Sequence, residues 1–166
     1  STAAMIQAIL RGNGLKVGLY TSPHLIRFNE RIRINGLPIS DEYIIEFMAQ
    51  FNGVIDKVEA TFFEATTVLA LHYFSNEEVD VAVIETGLGG RLDSTNVIDP
   101  ELTIITSIDL DHQHILGETL IDVAAEKAGI IKKQKPVLVC SQKPEVMDVI
   151  RKKAQESNSP IIYSND

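Results

Sequence analysis

The sequence has one cysteine, Cys140, and no long apolar run in its 166 residues. A single cysteine cannot form a disulfide within the chain, which excludes a disulfide-stapled fold and favours a reducing compartment. A membrane-spanning helix needs about 18 consecutive apolar residues, and no stretch approaches that length. We therefore expect a cytoplasmic protein without a membrane partner.

Basic residues are also scarce. The 15 lysines and arginines stand against 23 aspartates and glutamates, which gives a net charge of −8. Such a chain has no diffuse basic field to hold a nucleic acid backbone, so we expect no nucleic acid partner and a local grip on any phosphate. Apolar residues make up 45% and charged residues 23%, a balance that predicts a folded globular domain.

The chain lacks an initiator methionine and the leader of a signal peptide. It begins at Ser1-Thr2 and stops in a polar run, and we interpret it as an internal piece of a longer protein. Ser-Thr before a helix is how a phosphate-binding loop ends, with the hydroxyl on Mg²⁺. The glycines and lysine of such a loop are not in this chain, and Ser-Thr alone is also an ordinary helix N-cap.

Short apolar strands alternate with amphipathic helices. Strands are predicted at 17–22, 79–84, 102–108, 137–140 and 161–163, and helices at 3–10, 42–58, 63–75, 120–131 and 145–156. Residues 27–34 alternate apolar and polar side chains and end in the turn Asn35-Gly36, which indicates an excursion between elements. The alternation predicts an α/β fold with a mostly parallel sheet flanked by helices.

Polar side chains follow three of these strands. They are Thr21, Ser22 and His24 after the first strand, Glu85 and 87–91 after the second, and Asp109, Asp111, His112 and His114 after the third. Because ligands bind outside the carboxyl ends of parallel strands, we expect these loops to converge on one crevice.

Glu85 follows the apolar run Val-Ala-Val-Ile. An acidic residue in this position resembles the arrangement that holds Mg²⁺ in nucleoside triphosphatases. It is equally typical of a residue that caps the following glycine-rich turn or pairs with Arg91, and the strand pattern alone leaves both interpretations open.

The run Gly87-Leu88-Gly89-Gly90 begins like a dinucleotide-binding fingerprint. That motif needs a third glycine opening a helix, and Leu92 stands in its place. The sequence continues as Asp-Ser-Thr-Asn, which is typical of a loop. NAD binding is therefore excluded.

The histidines alone carry little signal. His112 lies close to His114, Asp109 and Asp111, but the span contains no cysteine and is more typical of a polar loop than of a zinc site. His72 lies in an otherwise apolar helix, which indicates a core or boundary histidine.

Lys127 lies among alanines and a glycine in an otherwise buried-looking helix. A surface role is the simplest interpretation. A lysine in small-residue surroundings can also be desolvated and react as a neutral amine. Carbamylation by carbon dioxide would turn it into an anion suited to a metal or phosphate site.

Six ordered segments carry a resemblance to one family. They are Gly-Leu-Tyr-Thr-Ser-Pro-His-Leu at 18–25, Asn-Glu-Arg-Ile-Arg-Ile at 29–34, Phe-Phe-Glu at 62–64, Glu-Thr-Gly-Leu-Gly-Gly-Arg-Leu-Asp-Ser-Thr-Asn at 85–96, Leu-Asp-His at 110–112 and Glu-Lys-Ala-Gly-Ile-Ile at 126–131. The sequence resembles the folylpolyglutamate synthase family, including its bifunctional form with dihydrofolate synthase activity, in the Mur ligase superfamily. The resemblance implies a P-loop NTPase-like fold, that of the Mur ligase central domain.

The resemblance further implies an ATP-dependent amide ligase. In such enzymes ATP phosphorylates a substrate carboxylate, and the amino group of L-glutamate then displaces phosphate from the acyl phosphate. Carried over residue by residue, the cofactor-binding residues are Ser1 and Thr2, the Mg²⁺ ligands are Ser1, Ser22, Glu85 and His112, and the catalytic residues are Lys127, expected to be carbamylated, His112 and Glu85.

The same resemblance implies a place for the pterin-bearing substrate. The implied residues are Thr61, Phe62, Phe63 and Glu64, together with Leu92, Asp93 and Ser94. An aromatic ring and a carboxylate suit a pterin, which offers a flat face and an edge of N–H donors. We expect ATP, L-glutamate and a folate or dihydropteroate as partners of a monomer.

Parts of the family pattern are missing. We therefore interpret residues 1–166 as an incomplete N-terminal ATPase domain, without the start of the phosphate loop and without the family's C-terminal domain. Two alternatives are another Mur-type ligase acting on a peptidoglycan precursor and a noncatalytic nucleotide-binding module. The Thr-Ser-Pro-His and Phe-Phe-Glu segments favour the folate branch, but not one of its two activities over the other.

Overall fold

The computed structural model describes residues 1–164. They form two compact units, Ser1–Gly87 and a second unit from Leu88 onward. Each unit has its own sheet and its own buried apolar cluster, so each is described by itself. Over residues 1–164, no helix is both long enough and apolar enough to cross a membrane.

The first unit contains three α-helices and four strands within its described residues. In chain order they are α1 (Thr2–Gly12), β1 (Val17–Tyr20), β2 (Ile32–Ile34), β3 (Leu37–Pro38), α2 (Asp41–Lys57), α3 (Phe62–Asn76) and β4 (Val81–Ile84). The sheet order is β3-β2-β1-β4. β1 runs parallel to β4, whereas β2 is antiparallel to both β1 and β3. The carboxyl ends of β1 and β4 therefore lie side by side.

The chain after β1 folds back on β1 through a tight turn. Asn35 and Gly36 have φ angles of 50° and 87°, which asparagine and glycine adopt more readily than other residues. The Asn35 side-chain oxygen also accepts a hydrogen bond from the Val17 N–H at 2.9 Å. The turn expected at Asn35-Gly36 is confirmed, whereas the alternating stretch before it divides into a 3₁₀ turn at Phe28–Arg31 and strand β2.

Helices α2 and α3 pack their apolar faces on this sheet. Ser40 caps α2, because its side chain accepts a hydrogen bond from the Tyr43 N–H at 3.1 Å. The buried cluster of the unit consists of Tyr20, Ile32, Ile34, Ile39, Phe47, Leu69, Ala70 and Phe74. His72 is half-buried beside this cluster, with its Nδ1 2.9 Å from the Tyr43 hydroxyl. The prediction of a core or boundary histidine is confirmed.

Gly18 of β1 is a place where a methyl group does not fit. A Cβ added there would lie 2.8 Å from the ring of Phe74, which is only 3% exposed. We expect Gly18→Ala to lower the free energy of unfolding by about 1–3 kcal/mol, since a tightly packed ring must shift. Chemical denaturation followed by circular dichroism measures this change.

Gly53 provides the control in the same unit. It lies within α2, and a Cβ there meets no atom within 4 Å. Gly53→Ala should raise the free energy of unfolding by up to about 1 kcal/mol through helix propensity. Equal stability of Gly18→Ala and the wild type would show that the Phe74 contact does not constrain β1.

The second unit contains three helices and three strands within its described part. They are β5 (Thr103–Ile105), α4 (Gln113–Leu116), α5 (Leu120–Ala128), β6 (Val137–Val139), α6 (Pro144–Glu156) and β7 (Ile161–Tyr163). The strands pair in parallel in the order β5-β6-β7. Helices α5 and α6 supply much of the buried cluster, which includes Val123, Ala124, Ala128, Val146 and Ile150.

The α/β class is confirmed, and the differences lie in the sheet. The mostly parallel pairing is confirmed, since three of the five described strand pairs are parallel. The described strands are divided between a four-stranded mixed sheet and a three-stranded parallel sheet. The run at 79–84 predicts a strand covered on both faces. Among the strands of residues 1–164, β4 instead pairs with β1 at the end of its sheet, and Ala82 is exposed. Helix α5 ends at Ala128 rather than at 131, because the Ile131 N–H bonds to the Ala128 carbonyl in a shorter turn.

Candidate functional site

The N-terminus of α1 is an exposed helix end. Ser1 is the N-cap, and its side chain accepts a hydrogen bond from the Ala4 N–H at 3.5 Å. Thr2 is the first residue of the helix, and both side chains are exposed. The first N–H groups of a helix point along its axis and favour anions. The ordinary capping role of Ser1 is therefore present.

Glu85 and Ser22 meet at the carboxyl ends of the parallel strands β4 and β1. The Glu85 N–H continues the ladder by bonding to the Tyr20 carbonyl at 2.9 Å. Its carboxylate then accepts a hydrogen bond from the Ser22 N–H, with Oε2 3.1 Å from that nitrogen. Both residues are half-buried. The strand register thus brings two of the residues expected to bind metal into direct contact.

The simpler interpretations of Glu85 do not describe its contacts. Arg91 forms its ion pair with Glu126, at 2.9 Å. The recorded partner of the Glu85 carboxylate is the Ser22 amide, which precedes the cis Ser22-Pro23 bond, rather than the glycine-rich turn.

The donor set around Glu85 suits Mg²⁺ better than zinc. A carboxylate has about four lone-pair positions, and one N–H bond leaves the others able to face a cation. Mg²⁺ usually takes one or two carboxylates and completes its shell with water and phosphate oxygens. Within residues 1–164, no group of three or more His, Cys, Asp or Glu side chains is arranged to hold a metal. An all-protein metal cage is therefore not part of the described structure.

The residues at the start of α3 have divided roles. Thr61 is the N-cap, and its N–H and Oγ1 each lie 2.7 Å from the same Glu64 oxygen. The Glu64 carboxylate therefore completes a capping box. Phe63 is half-buried, with its ring 6.0 Å from that of Tyr20. Phe62 is 63% exposed and is the member of this group that presents an aromatic face.

The capping box should leave a signature in the pH dependence of stability. The Thr61 backbone N–H and then its hydroxyl lower the pKa of Glu64 below its usual 4.5. A lowered folded-state pKa contributes stability that is fully present above the unfolded value and lost as the pH falls through the folded value. We expect the wild type to lose more stability than Glu64→Gln between about pH 5 and about pH 3.

Urea unfolding at a series of pH values measures this difference. Glu46→Gln is the control, because Glu46 is exposed in the middle of α2 and caps no helix. It should follow the wild-type profile. Identical profiles for Glu64→Gln and the wild type would show that Glu64 does not act through its charge at the cap.

The glycine-rich loop of the second unit docks on the end of α5. The Arg91 N–H bonds to the Glu126 carbonyl at 2.8 Å, and its Nε and Nη2 bond to the Glu126 carboxylate at 3.0 and 2.9 Å. A Cβ on Gly90 would lie 2.7 Å from that same carbonyl oxygen. A Cβ on Gly129 would lie 2.4 Å from the Arg91 Cβ. The glycines thus allow a close backbone approach that fixes the loop against α5.

Asp93 holds the following part of the loop together. Its carboxylate accepts hydrogen bonds from the Leu88 N–H at 2.8 Å and from the Thr95 N–H at 2.9 Å. Such side-chain turns are typical of aspartate. Leu92 is 79% exposed beside it, and Ser94 begins a 3₁₀ turn.

Lys127 lies in the last turn of α5, one residue after Glu126. Its side chain is half-buried, and within residues 1–164 its ammonium forms no hydrogen bond or ion pair. Ala124 and Ala128, on the same helix, are fully buried. A lysine with an unsatisfied head group on a fixed helix is a candidate for modification or for contact with an anion.

His112 has an unusual backbone. Its φ and ψ of 49° and 37° lie in the left-handed region, which a histidine adopts only at some cost. Its Nε2 is 3.7 Å from the Asp111 carboxylate, and its side chain is half-exposed. Asp109 pairs with Lys143 at 3.5 Å, and the Leu110 N–H and then this lysine lower the pKa of Asp109.

One cluster was not expected from the sequence. Arg31 donates from Nε to His24 Nδ1 at 2.9 Å, and its guanidinium lies 5.6 Å from the centre of the Phe62 ring. The rings of Phe28 and Phe62 meet edge to face at 5.8 Å. The members are separated by up to 38 positions, so spacing gave no signal, although His24, Arg31 and Phe62 all lie in the segments that carry the family resemblance.

The expected site residues are thus distributed over both units. Ser1, Ser22, Glu85 and residues 61–64 belong to the first unit, and residues 92–94, His112 and Lys127 belong to the second. Within the first unit the structure brings Ser22 and Glu85 into contact.

Comparisons with known proteins agree with one another. The family model described as the Mur ligase middle domain matches residues 1–166. The dihydrofolate synthase/folylpolyglutamate synthase of Bacillus subtilis is 47% identical over 176 residues, which cover 100% of this chain and 40% of that protein.

Two solved structures are similar throughout the chain. An FPGS–AMPPCP–folate complex has a TM-score of 0.92 and 41% identity, and the match covers 97% of this chain and 41% of the other. Escherichia coli FolC in complex with DHPP and ADP has a TM-score of 0.91 and 37% identity, and the match covers 98% of this chain and 39% of the other. The chain therefore spans about two fifths of the length of these relatives.

Proposed function

Because the chain belongs to the Mur ligase middle domain family, we propose that it is the nucleotide-binding part of an ATP-dependent ligase that adds L-glutamate to a folate or dihydropteroate carboxylate. The observation that carries this proposal is the contact between Glu85 and Ser22. It places a carboxylate and a hydroxyl-bearing residue at the carboxyl ends of two parallel strands, where such sheets bind ligands. The named relatives supply the substrate class.

The ligands of the solved relatives support both halves of the reaction. One is bound to AMPPCP, an ATP analogue, together with folate, and another to ADP together with DHPP. A nucleotide and a folate-type compound therefore bind together in proteins that share this fold. A ligase that uses the nucleotide to activate the folate-type compound must bind both at the same time.

The reaction has two steps. A carboxylate oxygen of the substrate attacks the γ-phosphorus of ATP, which forms an acyl phosphate and releases ADP. The amino nitrogen of glutamate then attacks the acyl carbon, phosphate leaves with its bridging oxygen, and the nitrogen loses a proton. The protein must hold two anions close together and in line, which is mainly positioning and charge screening.

The residues of this chain divide that work. Ser1, Thr2 and the first N–H groups of α1 hold the phosphates. Ser1, Ser22, Glu85 and His112 are the proposed ligands of Mg²⁺. When bound, Mg²⁺ supplies positive charge that neutralises the phosphate oxygens. The Glu85 carboxylate is fixed for this role by the Ser22 N–H.

Lys127 is proposed to act as a carbamate. The neutral amine nitrogen attacks the carbon of carbon dioxide, and the nitrogen loses a proton, so that a cation becomes an anion. The half-buried and unpartnered ammonium supports this role. The docked loop at Arg91 holds the helix end on which it stands. The resulting anion is suited to bind a metal ion.

The substrate would lie against Phe62 and Phe63, with Thr61 and Glu64 at its edge, and against Leu92, Asp93 and Ser94. The exposed Phe62 and Leu92 side chains offer apolar contact to a flat ring. Residues 1–166 are proposed to belong to the N-terminal ATPase domain of such a ligase. A monomeric state and a cytoplasmic location stay predictions.

Phosphate release by the full-length protein tests this function. We expect release only with ATP, Mg²⁺, L-glutamate and either dihydropteroate or a reduced folate. Phosphate release that does not depend on the pterin substrate, or no release with either pterin, would contradict the proposal. Nucleotide binding without glutamate-dependent turnover would favour a noncatalytic module, and competition by a uridine nucleotide substrate would favour a peptidoglycan ligase.

A further inference from the structure

The cluster of Arg31, His24, Phe28 and Phe62, here called the Arg31 cluster, is built from two distant segments. The 3₁₀ turn at Phe28–Arg31 provides the cation, and the first residue of α3 provides the exposed ring. The guanidinium lies over that ring, 5.6 Å from its centre, in a cation–π contact. Arg31 is half-buried although its ring partner is exposed, so the charge stands at the edge of an apolar surface.

Arg31 has no carboxylate partner. Among residues 1–164, no aspartate or glutamate oxygen lies within ion-pair distance of its guanidinium. Arg27 in the same loop pairs with Asp41 at 3.2 Å, and Arg91 pairs with Glu126. Arg33 in the following strand is also half-buried without an ion pair, but its Nε donates to the Glu30 carbonyl, whereas the Nε of Arg31 donates to His24. The Nη groups of Arg31 remain free to receive an anion in a forked geometry.

The bond from Arg31 leaves the other ring nitrogen of His24, Nε2, as a hydrogen-bond donor. An arginine Nε–H can only donate, so its bond to His24 Nδ1 requires that nitrogen to accept. The proton of the neutral imidazole then sits on Nε2. The cluster therefore offers donors and a cation, together with aromatic surface.

The carboxylate of Glu30, the residue before Arg31, already holds the loop. Glu30 accepts hydrogen bonds from the N–H groups of Leu25, Ile26 and Arg27, at 3.0 to 3.5 Å. These bonds fix the backbone that carries His24 and Arg31 before any ligand arrives. A preorganised donor set loses less entropy on binding than a flexible one.

We propose that the Arg31 cluster is a subsite for an aromatic carboxylate. The Nη groups of Arg31 receive the carboxylate, the Nε2–H of His24 donates to the same anion, and Phe62 contacts the ring that bears it. The inference rests on the proposed function with dihydropteroate as the substrate, because its carboxylate is attached directly to an aromatic ring, and it assigns recognition of that group to this cluster. Arg31 is then the specificity-determining residue that selects the acid form of the substrate, and Phe62 contributes affinity for the ring.

Calorimetric binding of two ligands tests the subsite. The first is dihydropteroate, and the second is the same compound with its carboxylate replaced by a carboxamide. The wild type should bind the acid at least about tenfold more tightly than the amide, the usual size of a charge-assisted hydrogen bond. Arg31→Gln should bind both equally. Phe62→Ala should weaken both by the same factor and keep the preference for the acid.

The ratio of the two affinities separates recognition from a structural role. Loss of the loop conformation would weaken acid and amide alike, whereas loss of the carboxylate contact removes only the preference. Arg27→Gln is the matched control, since Arg27 lies in the same loop and is paired with Asp41. It should retain the wild-type ratio. L-glutamate, the other substrate, also carries carboxylates. It should not compete with dihydropteroate at this subsite, because its carboxylates are aliphatic.

The outcomes distinguish this inference from the proposed function. A preference for the acid that persists in Arg31→Gln would overturn the subsite and leave the ligase intact. Competition by L-glutamate would assign the cluster to the other substrate and would also overturn it. Binding of neither dihydropteroate nor its carboxamide by the wild type would overturn the proposed function together with the subsite.

Discussion

Replacing Glu85 by glutamine is expected to lower ATP- and Mg²⁺-dependent phosphate release by about a thousandfold, the effect of removing one well-placed electrostatic group. Glutamine has the same shape, and its carbonyl oxygen can still accept the Ser22 N–H that Glu85 accepts at 3.1 Å. The fold should therefore be unchanged, and the negative charge at the end of β4 is what the variant removes. Steady-state phosphate release by the full-length protein measures the loss.

Glu77→Gln is the control for this experiment. Glu77 is also acidic and in the first unit, but it forms a partly exposed ion pair with Lys16 at 3.1 Å. Its replacement should leave the rate unchanged, because exposed pairs contribute little. If Glu85→Gln retained wild-type activity, the assignment of Glu85 to the metal site would be wrong.

Replacing Lys127 by alanine is expected to lower the rate at least about a hundredfold, again the effect of a lost charged group in the site. The amine that would become the carbamate is removed, while the buried alanines on either side keep the α5 packing. Short carboxylic acids such as acetate should restore part of the activity, because they can supply an anion where the carbamate stood. Lys133→Ala, an exposed lysine in the same unit, should be unaffected.

A spectroscopic readout accompanies the activity. With ¹³C-labelled carbon dioxide, the wild type should show a carbamate carbon signal that Lys127→Ala lacks. Full activity of Lys127→Ala would exclude a carbamate in the reaction. Loss of activity without any labelled signal in the wild type would leave Lys127 as a charged contact and overturn the carbamate.

The sequence predicted the elements whose signals are local. α2 and α3 begin where hydroxyl caps precede an apolar period, at Ser40 and Thr61, and the hairpin turn is where Asn35 and Gly36 occur. The division into two sheets has no local signal, because strand partners are chosen by long-range pairing. The same reason explains the edge position of β4, whose apolar run looks like that of a covered strand.

The site shows the same division. Glu85 and Ser22 could be placed together from the rule that polar residues at parallel strand ends converge, and their contact confirms the prediction for two of the three loops. For the loop after β5, convergence stays a prediction. The capping role of Glu64 was available from the Thr-x-x-Glu spacing. The Arg31 cluster could not be derived, because Phe62 joins it only through the packing of α3 beside the loop.

Glutamate ligation through an acyl phosphate is tested most directly by following the carboxylate oxygens of the substrate into the released phosphate. The full-length protein is given dihydropteroate with an ¹⁸O-labelled carboxylate, together with ATP, Mg²⁺ and L-glutamate, and the released phosphate is analysed by mass spectrometry. One labelled oxygen is expected in each phosphate, since the carboxylate oxygen that attacks the γ-phosphorus leaves with it. Phosphate without label, at a rate equal to product formation, would contradict the acyl phosphate and with it the proposed reaction.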